Sequence, residues 1–275
     1  MLKGGESLLA CERKLLTLAI TIGLIAGLFM FSVPSALATD PSGANVSKNT
    51  DEHIITDTAT SDDAYAGNVS EITLKGYSLT QTWQGYYGNV TGVIELGDAL
   101  NNTLYNWTVA SPQGEVYAST NQSITWSNIQ CFNFTADGTM DPSGEVAGSI
   151  NLKGTNLSLL EETFNINQTN GVDGIDETFS DAIDHDAFYT ASREFSSGEC
   201  LATRTFDNTG SATNSLFEEV LLYEPSTASV VFAAILEEDA DGFDDGTHDF
   251  QMLVLEDGHG TDTSTTDYYF FVELE

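Results

Sequence analysis

Residues 215–238 read SLFEEVLLYEPSTASVVFAAILEE, two apolar runs separated by a short polar segment. Both runs are rich in Val, Leu, Phe and Ile, and each has the length of a β-strand. The residues between them, EPST at 224–227, favour a tight turn because Pro and Ser fit turn geometry. The stretch therefore predicts a β-hairpin.

Outward from this hairpin, the chain from Ile72 onward alternates apolar and polar residues in short runs separated by Gly, Asn, Asp and Pro. Further strands are predicted at residues 72–83, 90–96, 103–111, 114–120, 123–126, 144–154, 200–206, 249–257 and 266–275. Residues 112–114 predict a hairpin turn, and the apolar spacing within 175–189 predicts one short helix. The pattern predicts an all-β fold, an antiparallel β-sandwich built as one large or two small sandwiches, with at most one short helix.

The first 38 residues have the features of a secretion signal. Lys3, Arg13 and Lys14 precede an uncharged run at 15–33, and an Ala-x-Ala cleavage pattern follows at 36–38. We expect export, and an uncleaved N-terminal anchor is the alternative because about 19 apolar residues also span a bilayer. The predicted organisation is a signal at 1–38, an acidic linker or stalk at 39–66, a glycosylated β-sandwich half at 67–155 and an acidic β-rich half at 156–275.

Composition excludes some partners and favours others. The chain has 42 acidic and 8 basic residues, a net charge of −34. Such a surface repels nucleic acid and anionic lipid, so neither is an expected partner beyond the N-terminal anchor. The charge points instead to bound cations or to a high-salt habitat, while a hydrophobic content of 41% indicates a folded protein.

Two cysteines remain outside the signal. Cys131 and Cys200 form an even pair, which predicts a disulfide in an oxidising compartment. One bridge closing about 70 residues stabilises a fold by roughly 4 kcal/mol in the chain-entropy model. The alternative is a pair of separate buried thiols.

Acceptor sequences for N-glycosylation are frequent and unevenly placed. The Asn-x-Ser/Thr triplets begin at Asn45, Asn68, Asn89, Asn101, Asn106, Asn121, Asn133, Asn156 and Asn167. None follows residue 167, which predicts one decorated half and one bare half. In NNTLYNWT at 101–108, alternation places Tyr105 and Trp107 on one strand face and Asn106 on the other. We therefore expect a sugar on Asn106 to point away from a core that Trp107 fills.

Acidic loops suggest calcium. The densest cluster, EEDADGFDDGTHD at 237–249, alternates carboxylates as a calcium loop does, although His248 stands where an EF-hand has its bidentate Glu. The predicted ligands here are Glu237, Asp239, Asp241, Asp244 and Asp245. A second candidate site holds Asp173 and Asp176, with Asp184 and Asp186 nearby. The alternative is that both clusters are solvated acidic turns of a salt-adapted protein.

Catalytic motifs do not stand out. The chain has no Gly-x-Ser-x-Gly elbow, no His-Glu-x-x-His, no phosphate loop and no Cys-x-x-Cys, and its four His are scattered. We predict that it is not an enzyme. The alternatives are a secreted glycoside-active enzyme with two paired carboxylates, or a carbohydrate-binding module that uses the aromatic residues of WQGYYGN at 83–89.

The stretch TQTWQGYYGNV at 80–90, the dense sequons and the closing YYFFVELE resemble secreted N-glycosylated cell-surface proteins of archaea. The resemblance implies an extracellular or cell-surface location and brings no catalytic residue. Together these features predict a structural or adhesive surface glycoprotein, a filament, sheath or surface-layer subunit stabilised by calcium. Its expected partners are further copies of itself, other surface glycoproteins or a polysaccharide. The β-prone segment HIITDTAT at 53–60 further suggests a strand donated to a neighbouring subunit.

Overall fold

The structure, a computed structural model, describes residues 40–47, 59–109, 112–132, 172–180, 182–212, 215–256 and 265–274, together with Leu157, Leu160, Glu161 and Phe164. These residues belong to one compact unit that spans Thr39–Glu275. The described strands are β1 (Ser42–Gly43), β2 (Trp83–Gly88), β3 (Gly92–Gly97), β4 (Thr103–Val109), β5 (Gly114–Ser119), β6 (Gln130–Cys131), β7 (Phe188–Thr190), β8 (Arg193–Phe195), β9 (Ala202–Arg204), β10 (Glu218–Glu224), β11 (Ser229–Ile235), β12 (Ala240–Asp241), β13 (Thr247–His248), β14 (Phe250–Leu255) and β15 (Tyr269–Leu274). Trp126–Asn128 form a 3-10 helix, and Ile175–Thr178 form the one-turn helix α1.

The predicted hairpin is the centre of a seven-stranded sheet. β10 and β11 pair antiparallel, and the Glu224 carboxylate fixes their turn by accepting the N–H groups of Ser226 (2.8 Å) and Thr227 (3.0 Å). The strand order is β1-β15-β5-β11-β10-β6, and β9 also pairs with β10. Every residue of β10 is buried, because other elements cover both faces of the sheet.

One face of this sheet carries a second β-layer. Val116, Leu221 and Phe232 belong to the same buried apolar cluster as Met252 and Val254 of β14. β14 packs over β10 and β11 and pairs antiparallel with β2 along its length. Two packed antiparallel layers confirm the predicted all-β, sandwich-like fold.

The opposite face is covered by shorter elements. Tyr117 and Leu222 from the sheet pack into a second buried cluster with Trp126, Phe188 and Phe195. Phe188 and Phe195 lie opposite each other in the β7–β8 hairpin and stack with ring centroids 4.8 Å apart. Burial on both sides explains why residues 220–223 of β10 and 230–235 of β11 are continuous apolar runs rather than alternating ones.

The predicted disulfide between Cys131 and Cys200 is confirmed, with a Cα–Cα distance of 5.0 Å. Cys131 lies in β6, and Cys200 lies two residues before β9. β6 and β9 pair with different parts of β10. The bridge therefore joins β6 to the segment just before β9, on the side of the sheet that these two short strands complete.

Two predicted strands and one turn are wrong. Residues 72–80 form no strand, and Ile72 and Leu74 are exposed there, because an alternating pattern defines faces without supplying a pairing partner. Residues 123–126 are also not a strand, since Trp126 begins the 3-10 helix. Residues 112–114 do not close a hairpin, because β4 pairs with β3 whereas β5 pairs with β11 and β15.

The short helix predicted within 175–189 is only one turn long. α1 ends at Thr178, and Phe188–Thr190 instead form β7. Phe179 leaves the helix in an extended conformation and is buried against the first apolar cluster. The apolar spacing of this stretch thus reflects tertiary packing more than helical periodicity.

The N-terminal residues that the structure describes join the sheet. Ser42 and Gly43, within the predicted linker, pair with Val272 and Phe271 of β15. The predicted strand at 144–154 and residues 53–58 of the HIITDTAT segment lie outside the described residues. Across the described ranges, no helix has the length and apolar character needed to cross a membrane.

Candidate functional site

Six of the nine predicted glycosylation sites lie in the described residues. Asn45, Asn68, Asn89, Asn101 and Asn106 are solvent-exposed. Asn121 is partly buried, and its side-chain amide donates a hydrogen bond to Ser229 Oγ (2.9 Å) and accepts one from the Ser123 N–H (2.8 Å). Asn133, Asn156 and Asn167 lie outside the described residues. The five exposed side chains are geometrically open to a glycan, whereas a glycan on Asn121 would replace a hydrogen of the partly buried amide that donates to Ser229.

The β3–β4 hairpin carries two of these sites and has two unlike faces. Its register places Ile94 opposite Trp107 and Leu96 opposite Tyr105, so these four apolar side chains share one face. Glu95 lies opposite Asn106 on the reverse face. The predicted division between Asn106 and Trp107 is thus present in the register.

The apolar face of the hairpin is not part of the core, so the expectation that Trp107 fills the core is wrong. The exposed fractions are 48% for Ile94, 49% for Leu96, 60% for Tyr105 and 51% for Trp107. The rings of Tyr105 and Trp107 meet edge to face with centroids 5.0 Å apart. Alternation predicted the faces of β4 correctly, but it contains no information about what covers them.

A carboxylate holds the hairpin turn. Asp98 Oδ1 accepts the N–H groups of Leu100 (2.8 Å) and Asn102 (2.9 Å), and Asp98 Oδ2 accepts the Asn102 amide (2.8 Å). These bonds, led by the Asn102 side chain, lower the pKa of Asp98. Asn101 occupies the left-handed region at φ 62°, which Asn tolerates better than most residues. The turn therefore presents Asn101 outward on an ordered loop.

The base of the hairpin rests against the end of the central sheet. A Cβ added at Gly92 would lie 1.9 Å from Leu274 Cδ1 of β15. Any larger residue at position 92 would require the Leu274 side chain to shift. The hairpin is thus anchored at its base, while its four apolar side chains project from the sheet.

The 237–249 loop does not bring its predicted ligands together. β12 and β13 pair across it, Asp244 Oδ1 lies 2.7 Å from His248 Nε2, and Asp249 accepts the Val90 N–H (2.7 Å). The Glu237 carboxyl lies near Glu218 and Asp186: burial raises its pKa to about 7, and the two acidic neighbours add to the rise. No three of the five predicted ligands bring their ligand atoms together in this structure; the five are Glu237, Asp239, Asp241, Asp244 and Asp245.

Three carboxylates do converge elsewhere in the described residues. Ligand oxygens of Glu161, Asp176 and Glu177 lie within 4.8 Å of one another. Burial raises the pKa of Glu161, with the Asp176 charge contributing, and hydrogen bonding to Asp176 raises that of Glu177. A Cβ on Gly174 would lie 2.4 Å from Glu177 Oε2 and 2.6 Å from Glu161 Oε1, so glycine makes room for the group.

This carboxylate cluster overlaps the second predicted calcium site only in part. Asp176 belongs to it, whereas the Asp173 carboxylate instead accepts the Thr80 hydroxyl (2.7 Å). Asp184 and Asp186 flank His185 and do not belong to this cluster. The Asp186 N–H instead donates to the Glu218 carboxylate (2.5 Å). Sequence reasoning missed Glu161 and Glu177. No local signal could have linked Glu161 to Asp176 and Glu177, which lie 15 and 16 positions later in the chain.

The aromatic residues of WQGYYGN pack mostly into the protein. Trp83 and Tyr86 border the first buried cluster, and the Trp83 indole N–H donates to the Asp173 carbonyl (2.7 Å). Tyr87 is more exposed and contacts Phe243 and His248 edge to face. Trp83 and Tyr86 therefore pack against the core rather than form an open sugar-binding surface.

One pair of glutamates on neighbouring strands of the central sheet lies buried. Glu115 and Glu273 are cross-strand partners on β5 and β15, and they are 2% and 6% exposed. The Tyr117 hydroxyl lies 3.3 Å from Glu115 and 3.2 Å from Glu273. Glu273 also accepts the Ala191 N–H (3.0 Å). A sugar cannot reach these two carboxylates in this structure.

His185 has a structural role. Its Nε2 accepts the Cys200 N–H (3.0 Å), so Nδ1 carries the proton and donates to the Asp186 carbonyl (2.7 Å). The ring is 1% exposed and packs on Phe188. Both nitrogens are thus committed to backbone groups next to the disulfide.

No protein-family model, curated protein or solved structure matches this chain.

Proposed function

We propose that the protein is exported and N-glycosylated, and that it serves as a structural or adhesive component of the cell surface or extracellular matrix. One observation carries this proposal: five of the six sequon asparagines that the structure describes are solvent-exposed. Exposure is what a glycan needs, and one of these sites, Asn106, lies on the face of β4 that the register turns away from Trp107.

The composition and the closed core support a non-enzymatic role. The net charge of −34 keeps copies soluble and favours cations over anionic partners. The Glu115–Glu273 pair is buried away from solvent, and His185 is committed to backbone hydrogen bonds. Under the proposal, these groups therefore stabilise the fold rather than take part in a reaction.

Calcium is the proposed stabiliser. The Glu161–Asp176–Glu177 cluster offers oxygen ligands, the chemistry that calcium prefers, and the raised pKa of Glu161 reflects burial beside a like charge. A bound cation would offset that repulsion. Calcium binding by the 237–249 loop would require its carboxylates to rearrange.

Size-exclusion chromatography with light scattering, followed by electron microscopy, tests the proposal on the secreted glycoprotein with calcium and with chelator. A structural subunit should form oligomers, filaments or sheets that are more abundant with calcium. An adhesive module should remain monomeric and bind a polysaccharide or a cell surface. A protein that is monomeric in every condition and binds neither would contradict the proposal.

Polysaccharide binding is the second candidate, favoured by the exposed Tyr105–Trp107 pair. Sugars stack on exposed aromatic rings, and both rings are at least half exposed. The two rings meet edge to face with centroids 5.0 Å apart, so a sugar would stack on one ring at a time. Retention of the protein on immobilised polysaccharides, compared with a Trp107→Ala variant, tests this role.

A further inference from the structure

We propose that the apolar face of the β3–β4 hairpin, formed by Ile94, Leu96, Tyr105 and Trp107, is a self-association surface whose occupant is the same face of a second copy. The inference rests on the proposed structural function and names the surface that would perform it.

The face is a continuous apolar surface on an ordered support. Cross-strand pairing joins Ile94 to Trp107 and Leu96 to Tyr105, so the four side chains are adjacent. Asp98 holds the turn at one end, and the Gly92–Leu274 contact holds the other. Both ends of the hairpin are therefore held, which lowers the entropy cost of ordering it on binding.

The exposed area is comparable to the largest apolar patch of a typical monomer. Side chains of these types expose roughly 200–250 Å² each when fully open, so four at about half exposure give roughly 500 Å². The largest apolar patch on a typical monomer is about 300–600 Å² and is often functional. A standard interface buries about 800 Å² per partner. The four side chains would therefore supply more than half of one side, and the hairpin backbone and rim would supply the rest.

The distribution of charge leaves the apolar face as the place where two copies can meet. Two copies of a chain with a net charge of −34 repel each other wherever acidic surfaces meet. The apolar face carries no charged side chain, since Glu95 lies on the reverse face opposite Asn106. A charged partner would gain nothing there, whereas two such faces related by a two-fold axis bury apolar surface against apolar surface.

The hairpin itself needs a covering layer. A two-stranded hairpin is marginal in water unless its apolar face packs on something. In the described residues β3 pairs only with β4, and the apolar face remains about half exposed. Two hairpins packed face to face, with the usual sheet separation of about 10 Å, would cover each other. A glycan on Asn106 would occupy the reverse face and leave this face free.

Neighbouring residues of β3 provide a matched test. Ile94 (48% exposed) lies on the apolar face, and Val93 (52% exposed) lies on the reverse face opposite Thr108. Ile94→Asp and Val93→Asp add the same charge to the same strand at similar exposure. Light scattering over a concentration series should show at least a tenfold weaker self-association for Ile94→Asp and near wild-type association for Val93→Asp.

Other outcomes overturn the inference in distinguishable ways. Wild-type assemblies that both variants retain, or lose equally, would contradict this surface and leave the proposed function standing. A monomeric wild type would contradict the inference together with a structural function. A monomer that loses polysaccharide retention in Trp107→Ala would reassign the face to sugar binding.

A second readout covers a variant that fails to fold. Trp107→Ser removes the largest apolar side chain without adding charge and should also weaken association. In the wild type, the fluorescence of half-exposed Trp107 should shift to the blue as concentration rises, whereas Trp126 is already buried. Association without any change in Trp107 quenching by acrylamide would overturn the proposal.

Discussion

Removal of the Cys131–Cys200 bridge should destabilise the protein strongly, because the bridge holds the outer edge of the central sheet. β6 has two residues and β9 has three, so each makes few ladder bonds to β10. Both strands pair with the same edge of β10, the buried strand of the central hairpin. The double variant Cys131→Ala/Cys200→Ala removes the bridge.

The magnitude follows from the loop that the bridge closes. The two cysteines are 69 positions apart, so loss of the cross-link should cost about 4 kcal/mol in the chain-entropy model. For a chain of this size, each kcal/mol shifts the melting temperature by about 2–4 °C, which gives a fall of about 8–16 °C. Cys200 is 3% exposed, so truncation to Ala adds a packing loss on the order of 1 kcal/mol.

Urea unfolding of three samples separates these effects. Oxidised wild type, reduced wild type and the double variant should rank in that order of stability. Reduction keeps both sulfur atoms, so the loss of stability between oxidised and reduced wild type measures the effect of the cross-link. The further loss between reduced wild type and the double variant measures the effect of packing. A reduced wild type within about 1 kcal/mol of the oxidised protein would refute the account, because β6 and β9 would then be held without the bridge.

Two further predictions concern the acidic groups. Calcium at about 100 times its dissociation constant should stabilise the protein by about 2.7 kcal/mol, which a rise in melting temperature would show. Asp176→Asn should abolish this rise, whereas Asp173→Asn, which lies outside the converging group, should keep it. Equal responses of the two variants would assign calcium to another site. The raised pKa of Glu237 means that the folded state keeps this proton longer than the unfolded chain, so its contribution to stability falls as pH rises from 4.5 to about 7. Glu237→Gln should therefore match wild type near pH 4 and exceed it at pH 8 in urea midpoint, and an unchanged difference between the two pH values would contradict the assignment.

Local pattern predicted the hairpin at the centre of the fold, and the reason is physical. Residues 220–223 of β10 and 230–235 of β11 are apolar throughout because both faces are buried, and Glu224 lies where its carboxylate can hold the turn. The same reasoning failed at residues 72–80, where alternation is present but no strand pairs with the segment. Pairing partners depend on distant residues, which a local pattern does not contain.

The candidate sites show the same limit. Alternation placed Asn106 and Trp107 on opposite faces of β4 correctly, but it could not tell that the face of Trp107 is half exposed. The converging group of Glu161, Asp176 and Glu177 depends on a contact between separate segments, so only Asp176 was predicted. Within 237–249, backbone pairing of β12 with β13 and the bonds of Asp249 direct the carboxylates apart.

Site-resolved mass spectrometry of the protein secreted by its native source tests the central claim, an exported chain with a decorated sheet surface, most directly. We expect glycan mass on Asn101 and Asn106, and lower occupancy at Asn121, whose amide is hydrogen-bonded to Ser229. Secreted protein with unmodified Asn101 and Asn106 would contradict the account.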